Sequence, residues 1–456
     1  MFEWVGVIAD ANLTAARYQM AISLGFHIIF AAMGIGFPVI TLIAHRRGIR
    51  HRDPAALQLA KRWAKAMAVL FAVGAVSGTI LSFEMGMLWP GLMGPYGDVI
   101  GLPFALEGVS FFMEAIFIAI YLYGWNRLPA RLHFLTLLPI VGAGIAGSFF
   151  ILSANAWMNS PAGFSIAPDG SITDVNPLAA MFNPAVGVQY VHMLLAAYMV
   201  AGFTVAGVYA VGWLRGRRDR IHRLGFLIPF TLAGIAAPVQ ILVGDVATRR
   251  LIDAQPAKFA AMELLPETRT RAPLTLGGVI TDDGDVVGAI EIPGVASWLG
   301  TRDINGEVPG LDSVVPENRP PANVVHMSFQ LMVAIGTALL ALALWFAVVW
   351  WRRRDLPLST WFWRFAAVAG IAAIVAMESG WVTTEVGRQP WIVYGLVRTS
   401  DAVTRADGIV VSATAISLTY LALSIITVAV LRRMAKRFAA GDDTPAPYGP
   451  DPAVSR

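Results

Sequence analysis

The 456-residue chain contains no cysteine, and that absence removes disulfides, thiolate zinc sites, iron–sulfur clusters and thiolate-ligated haem together. A metal in this chain must be held by His, Met or carboxylate. Charge is scarce as well: Asp, Glu, Lys and Arg make up 14% of the residues against 56% hydrophobic, a balance that excludes an ordinary soluble domain. Mean hydropathy is +0.62. No clear internal repeat is found, which argues against the repeat-built transporter folds. The first 16 residues lack a charged n-region and a continuous apolar core, so no cleavable signal is expected and the first spanning helix directs insertion.

What the chain has is long apolar runs. A spanning helix needs about 20 mostly apolar residues, and nine runs qualify, at roughly 17–44, 64–86, 102–124, 132–157, 186–213, 223–244, 324–350, 361–384 and 408–431. The expected fold is therefore an all-α, polytopic membrane bundle. Basic residues fall in alternate connections: Arg46 to Lys65, Arg127 and Arg131, Arg215 to Arg223, Arg352 to Arg354, and Arg432 to Arg437. By the positive-inside rule these face the cytoplasm, which puts the N-terminus outside and the C-terminus inside. The basic pI of about 9.4 follows from those connections and needs no nucleic-acid partner.

One outer connection, 245–321, is far longer than the others and rich in Asp, Glu, Gly and Pro. A loop of that length reads as functional or mobile, with a solvated linker or a small ordered lobe as the plain alternatives. The expected organisation is helices one to six in 1–244, the outer loop in 245–321, helices seven to nine in 322–432 and a cytoplasmic tail in 433–456.

Ionisable groups inside spanning helices are costly, and each is a candidate functional residue. They are His27, Glu84, Glu107, Glu114, His192, Glu378 and Glu385, with Arg17 and Arg388 at the outer ends. At about 1.5 Å per residue, His27 lies roughly 15 Å in from the outer end. His192 and Met332 enter their helices at similar depth, as a pair holding one haem iron from both sides would; each taken alone also fits a packed core residue. Glu107 and Glu114 are seven residues apart and share a helix face, a spacing suited to a proton relay. Glu385 and Arg388 fit either an i,i+3 ion pair closing a helix or an iron ligand beside a propionate-binding guanidinium.

Taken together, these segments resemble the large subunit of the cytochrome bd quinol oxidases over nearly the whole chain. The matching motifs are Arg17-Tyr18-Gln19 with His27, Ala105-Leu106-Glu107-Gly108 through Phe111-Phe112-Met113-Glu114, Gln189-Tyr190-Val191-His192-Met193 and Ser328-Phe329-Gln330-Leu331-Met332. The most specific is Trp381 and Glu385 with Gly387-Arg388-Gln389-Pro390-Trp391. Lys258-Phe259-Ala260-Ala261-Met262-Glu263 is similar to the family's quinol-loop motif. The remainder of that loop is short, and Ser82-Phe83-Glu84-Met85-Gly86 with Tyr394-Gly395-Leu396-Val397-Arg398-Thr399 looks like the cyanide-insensitive branch.

The resemblance implies a quinol:oxygen oxidoreductase of the bacterial cytoplasmic membrane. His192 and Met332 then hold a low-spin, b558-like haem b, while His27 and Glu385 serve a high-spin, b595-like haem b and a third group, haem d or another haem b. Lys258 and Glu263 act in quinol oxidation, Glu107 and Glu114 carry protons from the cytoplasm, and Trp381 lies on the electron path. Arg388 and Arg17 anchor propionates. The implied partners are a second membrane subunit (subunit II), a small single-span accessory subunit, ubiquinol or menaquinol, and O2. Proton release outside and uptake from inside would build a proton motive force without pumping. A proton-coupled transporter and a dihaem electron conduit are the rival readings; the conduit needs more than the two membrane histidines, His27 and His192.

Overall fold

The structure is a computed structural model that describes residues 2–441, with side chains from residue 11 onward. Ten helices organise it: α1 (Phe2–Arg50), α2 (Pro54–Leu88), α3 (Pro90–Gly124), α4 (Leu137–Asn159), α5 (Val186–Leu214), α6 (Arg220–Ala254), the short α7 (Pro256–Glu263), α8 (Ala322–Arg353), α9 (Thr360–Val386) and α10 (Ile409–Ala439). Among the described residues, nine helices are long and apolar enough to cross a membrane. Local chemistry sets their ends. Pro54, Pro90 and Pro256 stand in first turns, where a missing N–H costs nothing. Asp219 caps α6 by accepting from His222 N at 3.0 Å.

Several helices outrun the apolar segments that announced them. α6 continues to Ala254 and α10 to Ala439, because hydropathy registers the hydrocarbon slab and not the polar turns beyond it. At the end of α6, Arg249 pairs with Asp245 at 3.0 Å, and Arg302 reaches the same carboxylate. Residues 433–439 of the expected tail are thus helical, and 442–456 lie outside the described residues.

The helices pack in an order that brings distant segments together. α1 lies against α2, α5 and α10; α3 pairs with α4; and α5, α6, α8 and α9 form a second group joined by α5–α6, α5–α9 and α8–α9 contacts. Lipid supplies no hydrophobic drive between helices, so small residues decide how closely they approach. A side chain at Gly202 would stand 2.6 Å from the Pro229 carbonyl. The buried rings of Phe203, Phe226, Phe230 and Phe362, with the half-buried Phe346 against them, fill the second group. At the end away from the long loop, Asp53 accepts from Arg220 at 2.7 Å and Arg47 at 3.3 Å, tying the α1–α2 turn to α6.

The long connection is an ordered lobe with its own core. It contains α7 and an antiparallel hairpin, β1 (Leu274–Ile280) and β2 (Val286–Ile292). Phe259, Met262, Leu265, Val308 and Leu311 are buried there against Val325 and Phe329 of α8. α8 also grips the lobe's backbone. Asn323 accepts from Ile280 N at 2.7 Å and donates to Ile280 O at 2.9 Å, and Gln330 donates to Thr275 O at 3.0 Å. The His326 ring lies between two carbonyls, with Met262 O at 2.8 Å and Gly277 O at 3.0 Å. The spacing 323, 326, 330 is one helix face.

Candidate functional site

A cavity of about 860 Å³ opens between α1, α2, α3, α4 and the end of α9. Its walls are mainly apolar, and its ionisable groups are those singled out in the sequence: Arg17, His27, Glu107, Glu114, Glu385 and Arg388, with Trp381 beside them. That size and lining suit a large organic ligand. Glu107 and Glu114 both reach it, as their shared face required. Glu84 and Glu378 do not. Glu84 turns instead to Gln19, which donates to it at 2.8 Å.

His27 is oriented by a residue that the sequence reading missed. Its Nδ1 is 3.0 Å from Ser77 Oγ, and that hydroxyl is itself 3.1 Å from the Val73 and Gly74 carbonyls. The single hydroxyl proton goes to a carbonyl, so Ser77 accepts from Nδ1–H and the imidazole lone pair is left on Nε2. Gly78 makes room for the ring: a Cβ there would meet His27 Cε1 at 2.9 Å.

At the opposite wall Arg388 Nη2 donates to Glu385 Oε2 at 2.6 Å, so the i,i+3 ion pair is present. Arg388 is 3% exposed, yet among the described residues its Nε and Nη1 have no partner. Buried guanidinium donors are rarely left so. Glu385 Oε1 accepts from Asn155 at 2.7 Å. Arg17 donates to Gln389 Oε1 at 3.0 Å, which ties the start of the chain to the segment after α9.

His192 and Met332 lie outside this cavity, within the group of α5, α6, α8 and α9. His192 Nε2 is 3.2 Å from Gln240 Nε2 of α6, while its Nδ1 and Gln240 Oε1 are buried without partners among the described residues. Met332 borders the buried core of the lobe. Its sulfur faces α9 at Gly380, where a Cβ would stand 2.9 Å away.

Lys258 and Glu263, on α7, are enclosed: 4% and 1% exposed. Lys258 Nζ donates to Asn159 Oδ1 at 2.9 Å. Burial, then the nearby Arg388 charge, lower its pKa to about 7, against a smaller opposing effect of Glu385. Burial alone raises Glu263 to about 7, and its Oε2 has no partner among the described residues. Neither residue presents its charged end at the surface. The amides that hold these groups, Asn155, Asn159 and Gln240, escaped the sequence reading because Asn and Gln inside helices carry no motif of their own; the i,i+4 spacing of Asn155 and Asn159 was the one available signal.

The model of the cytochrome bd terminal oxidase subunit I family matches residues 15–439. The chain belongs to this family. It is 36% identical over 440 residues to a Bacillus subtilis protein described as a putative cytochrome bd menaquinol oxidase subunit I, covering 95% of this chain and 98% of the relative. A second Bacillus subtilis protein, cytochrome bd ubiquinol oxidase subunit 1, is 30% identical, with 95% of each chain covered. In three dimensions it is similar to the bd oxidase from Geobacillus thermodenitrificans, with a TM-score of 0.87, 35% identity and coverage of 93% of this chain and 98% of that one. It is accordingly the large-subunit type of a terminal oxidase, a multi-pass membrane protein that works with a partner subunit.

Members of the family bind haem, and the residues here suit it. His27 offers a neutral imidazole nitrogen to the cavity. His192 has one unpartnered ring nitrogen and another held only by an amide that a metal would displace. Arg388 has two unpartnered N–H groups for an anionic group such as a propionate. Each oxygen of Glu385 meets a single hydrogen bond, which leaves lone pairs available.

Proposed function

We propose that this chain oxidises membrane quinol at its long loop and reduces O2 to water at the large cavity, with the loop outside and the basic helix ends in the cytoplasm. One observation carries the reading. α7 is wedged between the two candidate haem regions: Phe259 and Met262 belong to the core that Met332 borders, while Lys258 packs over Gly387 beside the Glu385–Arg388 pair. A quinol engaged at α7 is therefore next to both.

His192 and Met332 would hold a low-spin haem b, and His27 and Glu385 the haems of the oxygen site, with Arg388 and Arg17 on their propionates. When bound, haem supplies one-electron storage and an iron at which oxygen is reduced. The protein's own groups handle position and protons. Quinol gives up two protons and two electrons as it becomes quinone: the electrons leave one at a time for the haems this chain would hold, and Glu263, enclosed and lacking a partner on Oε2 among the described residues, takes the protons in turn and releases them outside. Lys258, also enclosed, sets the charge beside the ring. Glu114 and Glu107, stacked along one wall of the cavity, deliver protons from the cytoplasmic side, four for each O2 reduced to two waters. Trp381, on α9 and lining the cavity, serves the electron route between the two regions. Release on one side and uptake from the other separate charge without a pump.

The testing experiment is a reduced-minus-oxidised absorption spectrum of the purified complex with its partner subunit. Haem bands, with one low-spin component, are the expected result; their absence refutes the reading. A far-red chlorin band assigns haem d to the oxygen site, and its absence assigns a third haem b. Quinol oxidation should fall at least tenfold in Lys258→Met with that spectrum preserved.

A further inference from the structure

The last turn of α4 carries an amide ladder that joins the loop to the cavity. Asn159 is 4% exposed. Its Oδ1 accepts from Lys258 Nζ at 2.9 Å and from Gln255 Nε2 at 3.1 Å, and Gln255 also donates to Asn159 O at 2.8 Å. Its Nδ2 donates to Asn155 O at 3.0 Å, and Asn155 Nδ2 donates to Glu385 Oε1 at 2.7 Å. The assignment of oxygen and nitrogen is forced, since an ammonium only donates and a carbonyl only accepts. Among the described residues Asn159 is the sole hydrogen-bond partner of Lys258 Nζ. The lysine stem crosses Gly387, where a Cβ would stand 2.9 Å from Cγ and 3.2 Å from Cε. A buried ammonium with one acceptor depends heavily on it.

We infer that Asn159 is a positioning residue for quinol oxidation, holding the Lys258 ammonium in place and coupling it through Asn155 to Glu385. This rests on the reading of α7 as the quinol site. The charged groups facing Lys258 are Arg388 and Glu385; α4 offers only amides, Glu263 lies further along α7, and His326 of α8 is bound to the Met262 and Gly277 carbonyls.

The test uses the whole oxidase with its partner subunit and three variants, Lys258→Met, Asn159→Leu and Asn159→Asp. Each is measured for quinol kcat and KM, for oxidation of a small reduced phenylenediamine that need not occupy the loop, and for haem spectrum. Asn159→Leu should lose at least tenfold in quinol kcat while keeping the spectrum and phenylenediamine oxidation. Asn159→Asp keeps an acceptor and adds a charge that favours the ammonium, so the pH limb of quinol oxidation near neutrality should move upward by about one unit or more. Should Asn159→Leu fail to assemble, the pH limb of Asn159→Asp decides, and an unmoved limb overturns the inference. Wild-type kcat in Asn159→Leu, with Lys258→Met inactive, overturns the inference and leaves the quinol site standing. Wild-type quinol oxidation in Lys258→Met overturns the quinol site itself.

Discussion

Met332 of α8 and Gly380 of α9 meet so closely that a single added methyl group on Gly380 would lie 2.9 Å from the methionine sulfur. The thioether can take that position because α9 presents bare backbone there. A close contact in a membrane bundle is shaped as much by such absences as by the side chains that fill them.

Gly380→Ala should therefore push Met332 aside, because the nearest atom is sulfur and the helices around it are closely packed. The low-spin component of the reduced-minus-oxidised spectrum is expected to fall or shift, with the oxygen-site bands kept. Met332→Leu should abolish that component outright. An unchanged low-spin signal in Met332→Leu would refute the ligand assignment.

Glu114→Gln removes a carboxylate that lines the cavity with Glu107. Loss of a proton-transferring group costs about a hundredfold in rate, and Glu107→Gln should act in the same direction. The measurement is oxygen consumption with an artificial donor, so that the loop is not limiting. Full activity in both variants would exclude this route.

Glu263 makes the docking of the lobe depend on pH. Burial raises its pKa from 4.5 to about 7, so its contribution to stability is complete below about 4.5 and is lost as pH rises through 7. The loss is about 3 kcal/mol. Lys258 runs the other way: its pKa is lowered from 10.5 to about 7, so its contribution is present above 10.5 and lost as pH falls through 7. Glu263→Gln should slow amide hydrogen exchange in α7 at pH 8, relative to the wild type and after correction for intrinsic rates, and have no such effect near pH 4.5. It should also impair quinol oxidation.

His326 holds two parts of the lobe at once. His326→Leu removes the ring between the Met262 and Gly277 carbonyls and the hydrogen bond it donates there, at a cost of about 1–3 kcal/mol. Exchange protection should drop in α7 and β1 and stay unchanged in α5 and α9. Equal loss across all four would point to a general collapse of the bundle.

Much of this was legible in the sequence because a bilayer allows few solutions. Apolar length announced each spanning helix, and the cost of burying charge singled out His27, Glu107, Glu114 and Glu385, all of which reach one cavity. The same cost singled out Glu84, His192 and Glu378, which do not line that cavity, and Glu84 is bonded to Gln19. Hydropathy says that a group is buried in the membrane and nothing about which neighbour it faces.

By itself, the sequence determined the helical membrane architecture, the family and which residues are candidates to hold metal or move protons, because these depend on composition, period and motif. Tertiary structure alone decided that the long loop is an ordered lobe, that Lys258 and Glu263 are enclosed, and that Asn155, Asn159, Ser77 and Gln240 hold the key groups. The reason is physical: a hydrogen bond between residues 99 or 230 positions apart is fixed by how helices pack, and no local pattern encodes that packing.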